Sequence, residues 1–266
     1  MPTSDAAFRG SIPALYDRCL GPMLFEPYAE DLAGRAAALR PGRVLETAAG
    51  TGIVSERLAA FLPHAELVAT DLNPDMLALA SERDHHPRVL FQQADAQHLP
   101  FPDGSFDLVV CQFGVMFYPD RVAAHREARR VLKPGGRYLF NSWDRLEANP
   151  IAARVVAALA GMFPDDPPGF LGRVPFGYHD RMRIEADLRS GGFGNVAIEA
   201  VAKTSRTTAR EAALGLCCGS PLRAEIEERA PGRLDEIAAA VASELALLGD
   251  GDQLEQPMSA LVTLAE

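Results

Sequence analysis

The sequence lacks the features that would tie it to a membrane or to nucleic acid. No apolar run approaches the roughly 20 residues of a membrane-spanning helix, and residues 1–10 lack the charged and apolar segments of a signal peptide. The net charge is −10, whereas proteins that bind nucleic acid carry clustered lysine and arginine. We therefore expect a cytoplasmic protein with no membrane span and no nucleic-acid partner, and the sequence leaves the oligomeric state open.

Cysteine is scarce, and its spacing fits no common metal or redox motif. Four cysteines occur, at positions 19, 111, 217 and 218, without a C-x-x-C pair. Cys111 lies in an apolar stretch and is expected to be a buried thiol, and the adjacent Cys217 and Cys218 are expected to serve packing. This usage suits a reducing compartment, and no metal site is expected.

Two common glycine-rich phosphate-binding motifs are also absent. A dinucleotide fingerprint, G-x-G-x-x-G, needs glycine at positions 48, 50 and 53, which here hold Ala48, Gly50 and Ile53. A P-loop needs a lysine after its glycines, and none follows. Glu46, just before this turn, would repel a pyrophosphate and suits a ligand that carries positive charge. A nicotinamide-dependent oxidoreductase is therefore the third and least favoured function.

The stretch around this turn nevertheless has the strand–turn–helix pattern with which an open α/β sheet binds a nucleotide-like ligand. Residues 43–46 predict a buried strand, residues 48–52 a tight turn, and residues 53–62 a helix with apolar residues on one face. Gly50 and Gly52 allow positive φ and leave no side chain between backbone and ligand. The pattern therefore predicts a ligand site at this turn.

Acidic residues follow the next two predicted strands. Residues 65–71 predict a strand ending at Asp71, about twenty residues beyond the turn, where a carboxylate can accept both hydroxyl protons of a ribose. The Asn-Pro pair at 73–74 predicts the start of a helix. Asp95 follows a strand at 88–93 and can accept from the exocyclic amine of adenine; an ordinary loop carboxylate is the alternative.

These features, taken in order, resemble motif I and its neighbours in class I S-adenosylmethionine (SAM)-dependent methyltransferases. The run 95–110 and the run Arg130-Val-Leu-Lys-Pro-Gly-Gly136 are similar to the ubiquinone/menaquinone C-methyltransferase-like (methyltransferase type 11) group, and the resemblance covers roughly residues 40–142. SAM is a cation at sulfur and carries no phosphate. The chain departs from the family at Ala48, where a glycine is usual, and at residues 117–118, near which relatives often carry His-His.

The resemblance implies that SAM is the cofactor. Asp71 would then hold the ribose, Asp95 the adenine amine, and residues 47–52 the methionine side, while Gln112 and Phe113 would lie near the transferred methyl group. The predicted cofactor-binding residues are Tyr16, Glu46, Thr47, Ala48, Gly50, Gly52, Asp71, Leu72, Met76, Asp95, Ala96, Gln112 and Phe113.

The alternation of strands and helices predicts one α/β domain over residues 1–266. We expect a Rossmann-like, seven-stranded, mostly parallel sheet with helices on both faces and an antiparallel last strand at 259–264. The predicted parts are an N-terminal helical arm (1–40), a SAM-binding core (41–142), a cap (143–190) and a helical insertion between the last two strands (207–248).

In the predicted arm, Pro13, Gly21-Pro22 and Pro27 should separate two or three helical pieces. Tyr16 lies in the first piece. In similar methyltransferases such an arm lies over the SAM pocket with its tyrosine against the ligand, and a packing aromatic is an equally weighted alternative.

Methyl transfer needs alignment and exclusion of water, and some acceptors also need a base. His179, in the predicted cap, is the candidate base, with a structural role as the alternative, and the catalytic residue is otherwise unassigned. His125, within a predicted helix, is expected to be a solvated or packing residue.

Aromatic residues are dense near the predicted ligand edge, which predicts an apolar pocket; a small core of their own is the alternative. We therefore expect a SAM-dependent methyltransferase acting on a small, largely apolar or aromatic molecule, with methylation at O, N or C left open. A non-catalytic SAM- or nucleoside-binding protein of the same fold is the alternative. The aromatic residues concerned are Phe113, Phe117, Trp143, Phe163, Phe170, Phe176 and Tyr178.

Overall fold

A computed structural model describes residues 12–83, 88–250 and 252–266. The strands that it describes are β1 (Arg43–Thr47), β2 (Glu66–Asp71), β3 (Val89–Gln93), β4 (Phe106–Gln112), β5 (Leu132–Trp143), β6 (Val196–Thr208) and β7 (Gln253–Ala265). They form one sheet in the order β3-β2-β1-β4-β5-β7-β6. This arrangement confirms the predicted seven-stranded Rossmann-like fold.

The strand directions follow the prediction as well. β1 pairs in parallel with β2 and β4, β2 with β3, and β4 with β5. β7 is antiparallel to β5, with Trp143 opposite Ala260 and Tyr138 opposite Ala265. The strand predicted at 259–264 is therefore in the sheet and is longer than predicted, because it begins at Gln253.

Helices follow most strands and pack on both faces of the sheet. They are α1 (Ile12–Leu15), α2 (Glu26–Ala38), α3 (Ile53–Phe61), α4 (Pro74–Arg83), α5 (Arg121–Val131), α6 (Pro150–Met162), α7 (Phe170–Arg173), α8 (Arg181–Ser190), α9 (Ala209–Cys218), α10 (Leu222–Arg229) and α11 (Leu234–Ala246), with a π-helix at Tyr16–Phe25 and a 3₁₀ turn at Val115–Phe117. Within the described ranges, no helix is both long enough and apolar enough to cross a membrane.

The chain divides into two compact units. The first comprises the described residues up to Pro27 together with Asp144–Gly177 and Ala202–Ser259, and the second comprises Tyr28–Trp143, Tyr178–Val201 and Ala260–Glu266. The second unit contains the parallel strands β1 to β5, and the first contains α6, α7 and α9 to α11. The boundaries predicted for the arm, core, cap and insertion remain predictions.

The predicted break at Gly21-Pro22 is wrong. Residues Tyr16–Phe25 form a π-helix, and the N–H of Glu26 donates to the carbonyl of Gly21, five residues earlier. A π-helix is wider than an α-helix, and it accommodates Pro22 without ending. Pro27 is the second residue of α2, so the break predicted there lies next to the change from the π-helix to the α-helix at Glu26.

Arg130 fixes the loop that follows Asp95 to helix α5. Its guanidinium donates to the carbonyls of Phe101 (2.7 Å) and Leu99 (2.9 Å) and pairs with Glu127 (2.7 Å). Glu127 in turn accepts from the N–H of Leu99 at 2.8 Å. The two sequence runs that carry the family resemblance are thus joined by hydrogen bonds, because Arg130 of the second run holds the loop at the start of the first.

The turn after β1 lies against the loop after β4. Ala48 has a φ of 54°, and Gly50 and Gly52 have values of 57° and 83°. Positive φ was predicted for the glycines, whereas for Ala48 it costs about 1–2 kcal/mol because of the Cβ atom. A Cβ built on Gly114 would lie 2.5 Å from the Cβ of Ala48 and 2.7 Å from the Sγ of Cys111. The methyl group of Ala48 is therefore accommodated by the bare backbone of Gly114.

His125, on α5, is fully buried in the second unit. Its ring lies 5.7 Å from that of Phe140, and its Nε2 atom is 3.4 Å from the hydroxyl of Tyr178. Burial, with a smaller contribution from the charge of Arg121, lowers the pKa of His125 from 6.5 to about 4. Of the two predicted roles, His125 therefore has the packing one.

We predict that Gly114→Ala destabilises the fold, because the added methyl group would meet Ala48 and Cys111. Overpacking of this kind costs about 1–3 kcal/mol, measurable as the free energy of unfolding in urea. Ala48→Gly removes one of the two obstructing atoms, so the double variant should recover part of the loss. Wild-type stability in Gly114→Ala would contradict the contact.

We also predict that His125 makes stability depend on pH between 6.5 and about 4. Because the folded pKa is lowered, the unfolded chain is protonated first. Stability is therefore fully present above pH 6.5 and is lost as the pH falls toward 4, by at most about 3 kcal/mol. His125→Gln should flatten this part of the profile in urea unfolding at several pH values. The same change at the exposed His64 should retain the wild-type slope; an unchanged slope in His125→Gln would refute the assignment.

Candidate cofactor site

Glu46 lies at the end of β1, directly before the turn, and its carboxylate is inside the protein. The residue is 3% exposed, and its Oε2 atom accepts a hydrogen bond of 2.6 Å from the hydroxyl of Ser55 on α3. The backbone carbonyl of Glu46 accepts from the hydroxyl of Thr70 at 3.0 Å. The carboxyl group is thus fixed close to the turn instead of extending into solvent.

Asp71 connects the end of β2 to the same turn. Its Oδ2 atom accepts from the N–H of Gly50 at 2.8 Å, and its Oδ1 atom accepts from the N–H of Asn73 at 2.8 Å. Burial raises the pKa of Asp71, although both N–H groups favour the charged form. Asn73 caps α4 as predicted, since its side chain accepts from the N–H of Asp75 at 2.9 Å.

The space beside the turn is open. A Cβ atom built on Gly50 would have no heavy atom within 4 Å, so a ligand can approach the backbone there. Leu72, the residue after Asp71, is 46% exposed although it is apolar. Met76, another predicted cofactor residue, lies on α4 and its side chain is instead buried. The two apolar residues therefore differ in their access to a ligand.

Asp95 and Ala96 begin a short turn after β3. The Oδ1 atom of Asp95 accepts from the backbone N–H of Gln97 at 2.8 Å, and its backbone carbonyl accepts from the N–H of His98 at 2.9 Å. The side chain of Gln97 accepts from the N–H of Asp120 at 2.9 Å, at the start of α5. Asp95 is therefore held by its own loop while its carboxylate remains partly exposed.

Gln112 and Phe113 lie at the end of β4. Phe113 has a φ of 50°, and its N–H donates to the side chain of Asn141 at 2.9 Å. Its ring stacks on Trp143 at 3.9 Å and meets Tyr28 edge-on at 5.4 Å. Phe113 and Trp143 are 5% and 4% exposed, so the two rings are buried against each other, and the predicted contact of Phe113 with the cofactor remains a prediction. Gln112 is only half-buried beside them.

The remaining predicted residues are described within their own units. Tyr16, in the first unit, stacks on Phe25 with ring centroids 4.8 Å apart, and its contact with a cofactor remains a prediction. Phe170 and Phe176 are buried in the same unit. His179, in the second unit, is exposed just before α8 and remains the candidate base.

Sequence reasoning missed several polar residues that shape the site. Asn141 could have been found, because it is a polar residue directly after an apolar run of a strand, whereas Ser55 is followed by two charged residues and gives no such signal. Tyr118 could not have been found either, because nothing in its local sequence indicates that its hydroxyl lies 3.2 Å from the Oγ1 atom of Thr47.

The donors and acceptors at this edge suit SAM. Glu46, Asp71 and Asp95 lie at or just beyond the carboxyl ends of β1, β2 and β3, which are neighbouring parallel strands and therefore share one edge of the sheet. Carboxylates accept from hydroxyl and amino groups and attract a cation, and they disfavour a phosphate. The open backbone at Gly50 leaves room for such a ligand.

Comparison with known proteins gives the family of this region. Residues 45–140 match the family model described as a methyltransferase domain. The ubiquinone/menaquinone biosynthesis C-methyltransferase UbiE of Ectopseudomonas mendocina is 38% identical over 138 residues, which are 50% of this chain and 52% of that protein. The chain spans about half the length of the curated relatives it matches.

Solved structures share the fold across almost the whole chain. The [4+2]-cyclase SpnF has a TM-score of 0.60 at 21% identity, covering 100% of this chain and 96% of its own. The phosphoethanolamine N-methyltransferase 2 of Haemonchus contortus, solved with phosphomonomethylethanolamine and S-adenosylhomocysteine, has a TM-score of 0.53 at 19% identity, covering 97% and 60%. Identities this low show a common fold and no more. Together with the matched domain and its relatives, the fold confirms the resemblance: residues 45–140 are a methyltransferase domain, similar to the ubiquinone/menaquinone C-methyltransferases.

Proposed function

We propose that the protein is a SAM-dependent methyltransferase that acts on a small molecule. The observation that carries this proposal is the joint at Asp71, whose carboxylate accepts from the N–H of Gly50 at 2.8 Å beside a turn with open space in front of it. In this proposal the carboxylate of Asp71 binds the ribose, next to a backbone that a ligand can approach closely. The matched methyltransferase domain supports the same function.

Several of the predicted cofactor residues have distinct tasks in this proposal. The outward lone pairs of Asp71 would accept from the ribose hydroxyls, and Asp95 would accept from the adenine amine. Leu72 is exposed beside them and would cover the adenine ring. Residues 47–52 would hold the methionine part, and Gln112 would face the reacting end. Bound SAM supplies a methyl group on a sulfonium, which is already a good leaving group.

The protein's own contribution is then alignment and exclusion of water. Transfer is an in-line displacement, so the acceptor atom must lie opposite the sulfur. His125 is not available as a base, because its ring is buried against Phe140 and Tyr178. His179 is exposed and remains the candidate if the acceptor needs deprotonation.

We propose an apolar, aromatic acceptor such as a quinone-like or phenolic ring. The support comes from relatives that are named for ubiquinone and menaquinone biosynthesis and for demethylmenaquinone methylation. Phe113 and Trp143 are occupied with each other, so their rings are not free to line an acceptor pocket. Phe117, after β4, is partly exposed and is the better candidate for contact with such a ring.

We predict that Asp71→Ala weakens SAM binding at least tenfold, about 1.4 kcal/mol, because a charge-assisted hydrogen bond to the ribose is lost. Isothermal titration with SAM and S-adenosylhomocysteine measures the effect. Asp75→Ala, at an exposed residue in the first turn of α4, is the matched control and should bind as the wild type does. Undiminished SAM affinity in Asp71→Ala would remove Asp71 from the site.

The acceptor proposal predicts methyl transfer from labelled SAM to quinone-like or phenolic rings. Because burial of apolar surface drives such binding, the acceptor's KM should change little between low and high salt. Transfer only to charged amines, peptides or tRNA would disprove the acceptor class. SAM binding without transfer to any acceptor class would favour the alternative of a non-catalytic binding protein.

A further inference from the structure

The hydroxyl of Tyr118 lies between two strand ends in the second unit. It donates to the Oγ1 atom of Thr47 at 3.2 Å and is 3.4 Å from the Sγ atom of Cys111. Burial raises the pKa of Tyr118 well above its usual range, so the hydroxyl keeps its proton and remains a donor. Tyr118 immediately follows the 3₁₀ turn at Val115–Phe117.

This contact occurs where the pairing between β1 and β4 stops. The parallel register of these strands runs from Val44 opposite Leu108 to Glu46 opposite Val110. The next two residues along are Thr47 and Cys111, and they are the pair that Tyr118 joins. The tyrosine hydroxyl thus links the side chains of the two residues that follow the last paired residues of the ladder.

The position of this contact in the sheet is where ligands bind in open α/β folds. β2 and β3 follow β1 on one side of the sheet, whereas β4 and β5 lie on the other side of β1. The strand order therefore reverses between β1 and β4. Ligands occupy the crevice beyond the carboxyl ends at such a point. The residue after Thr47 is Ala48, whose positive φ is strained for a residue with a side chain.

We propose that Tyr118 is a positioning residue for the cofactor turn: by holding Thr47 to Cys111 it keeps Ala48 in its left-handed conformation and so sets SAM affinity without contacting SAM. This inference rests on the proposed function of the site. Three amide N–H groups of the turn depend on this conformation of Ala48. Ala49 donates to the carbonyl of Thr70, Gly50 donates to the carboxylate of Asp71, and Gly52 donates to the carbonyl of Ala49.

Tyr118→Phe removes the hydroxyl and keeps the ring. In the free protein, amide hydrogen exchange at residues 49–52 should become faster, by about fivefold for the loss of one typical hydrogen bond, and SAM affinity should fall by a similar factor. Tyr178→Phe is the matched control, since it also removes a tyrosine hydroxyl in the second unit, one that binds Asp187 at 3.1 Å and no residue of the turn. It should change neither measurement.

A double-mutant cycle with Thr47→Val tests whether Tyr118 acts through Thr47. In the Thr47→Val protein, Tyr118→Phe should add no further acceleration of exchange. An equal acceleration in both backgrounds would overturn the inference, as would unchanged exchange in Tyr118→Phe. Faster exchange without loss of SAM affinity would also overturn it.

A failure of the proposed function can be told apart from a failure of this inference, because the two give different results in SAM titration and in hydrogen exchange. A wild-type protein that does not bind SAM in isothermal titration would refute SAM binding itself. The exchange measurements need no ligand, so they would still decide whether Tyr118 fixes the turn. Circular dichroism melting of each variant shows whether the fold as a whole has been kept.

Discussion

The carboxylate of Asp71 joins the end of β2 to the turn after β1, and both of its oxygen atoms accept backbone N–H groups. A buried carboxylate is stable only when hydrogen bonds replace the water it has lost. The N–H groups of Gly50 and Asn73 serve this purpose and are themselves fixed by it. The Asp71 carboxylate therefore fixes the geometry of the turn, of the start of α4 and of its own outward face.

A second set of contacts keeps the other side of the site in place. Arg130 and Glu127 bind the loop after Asp95, and Asn141 binds the backbone of Phe113 at the end of β4. None of these residues was predicted to contact the cofactor. They contact the segments that carry the predicted cofactor-binding residues. Loops at the sheet edge can therefore hold their positions without a regular ladder of hydrogen bonds.

The sequence was sufficient for a seven-stranded, mostly parallel sheet with an antiparallel last strand and for positive φ at Gly50 and Gly52, because local spacing and small residues reflect local backbone geometry. It was not sufficient for contacts between distant segments. The break expected at Pro22 failed because the helix widens, which single-residue propensities do not describe. The contacts of Tyr118 and Gly114 could not be predicted, because their partners, Thr47 and Ala48, are about seventy residues away in the chain.

The contact between Ala48 and Gly114 has a consequence for how such sequences can vary. A side chain at position 114 is compatible with the turn only if position 48 lacks one, since two Cβ atoms would lie 2.5 Å apart. The two positions therefore cannot change independently. Among related chains, loss of the motif I glycine should covary with glycine in the loop after β4, which would mark a subgroup that shares this turn.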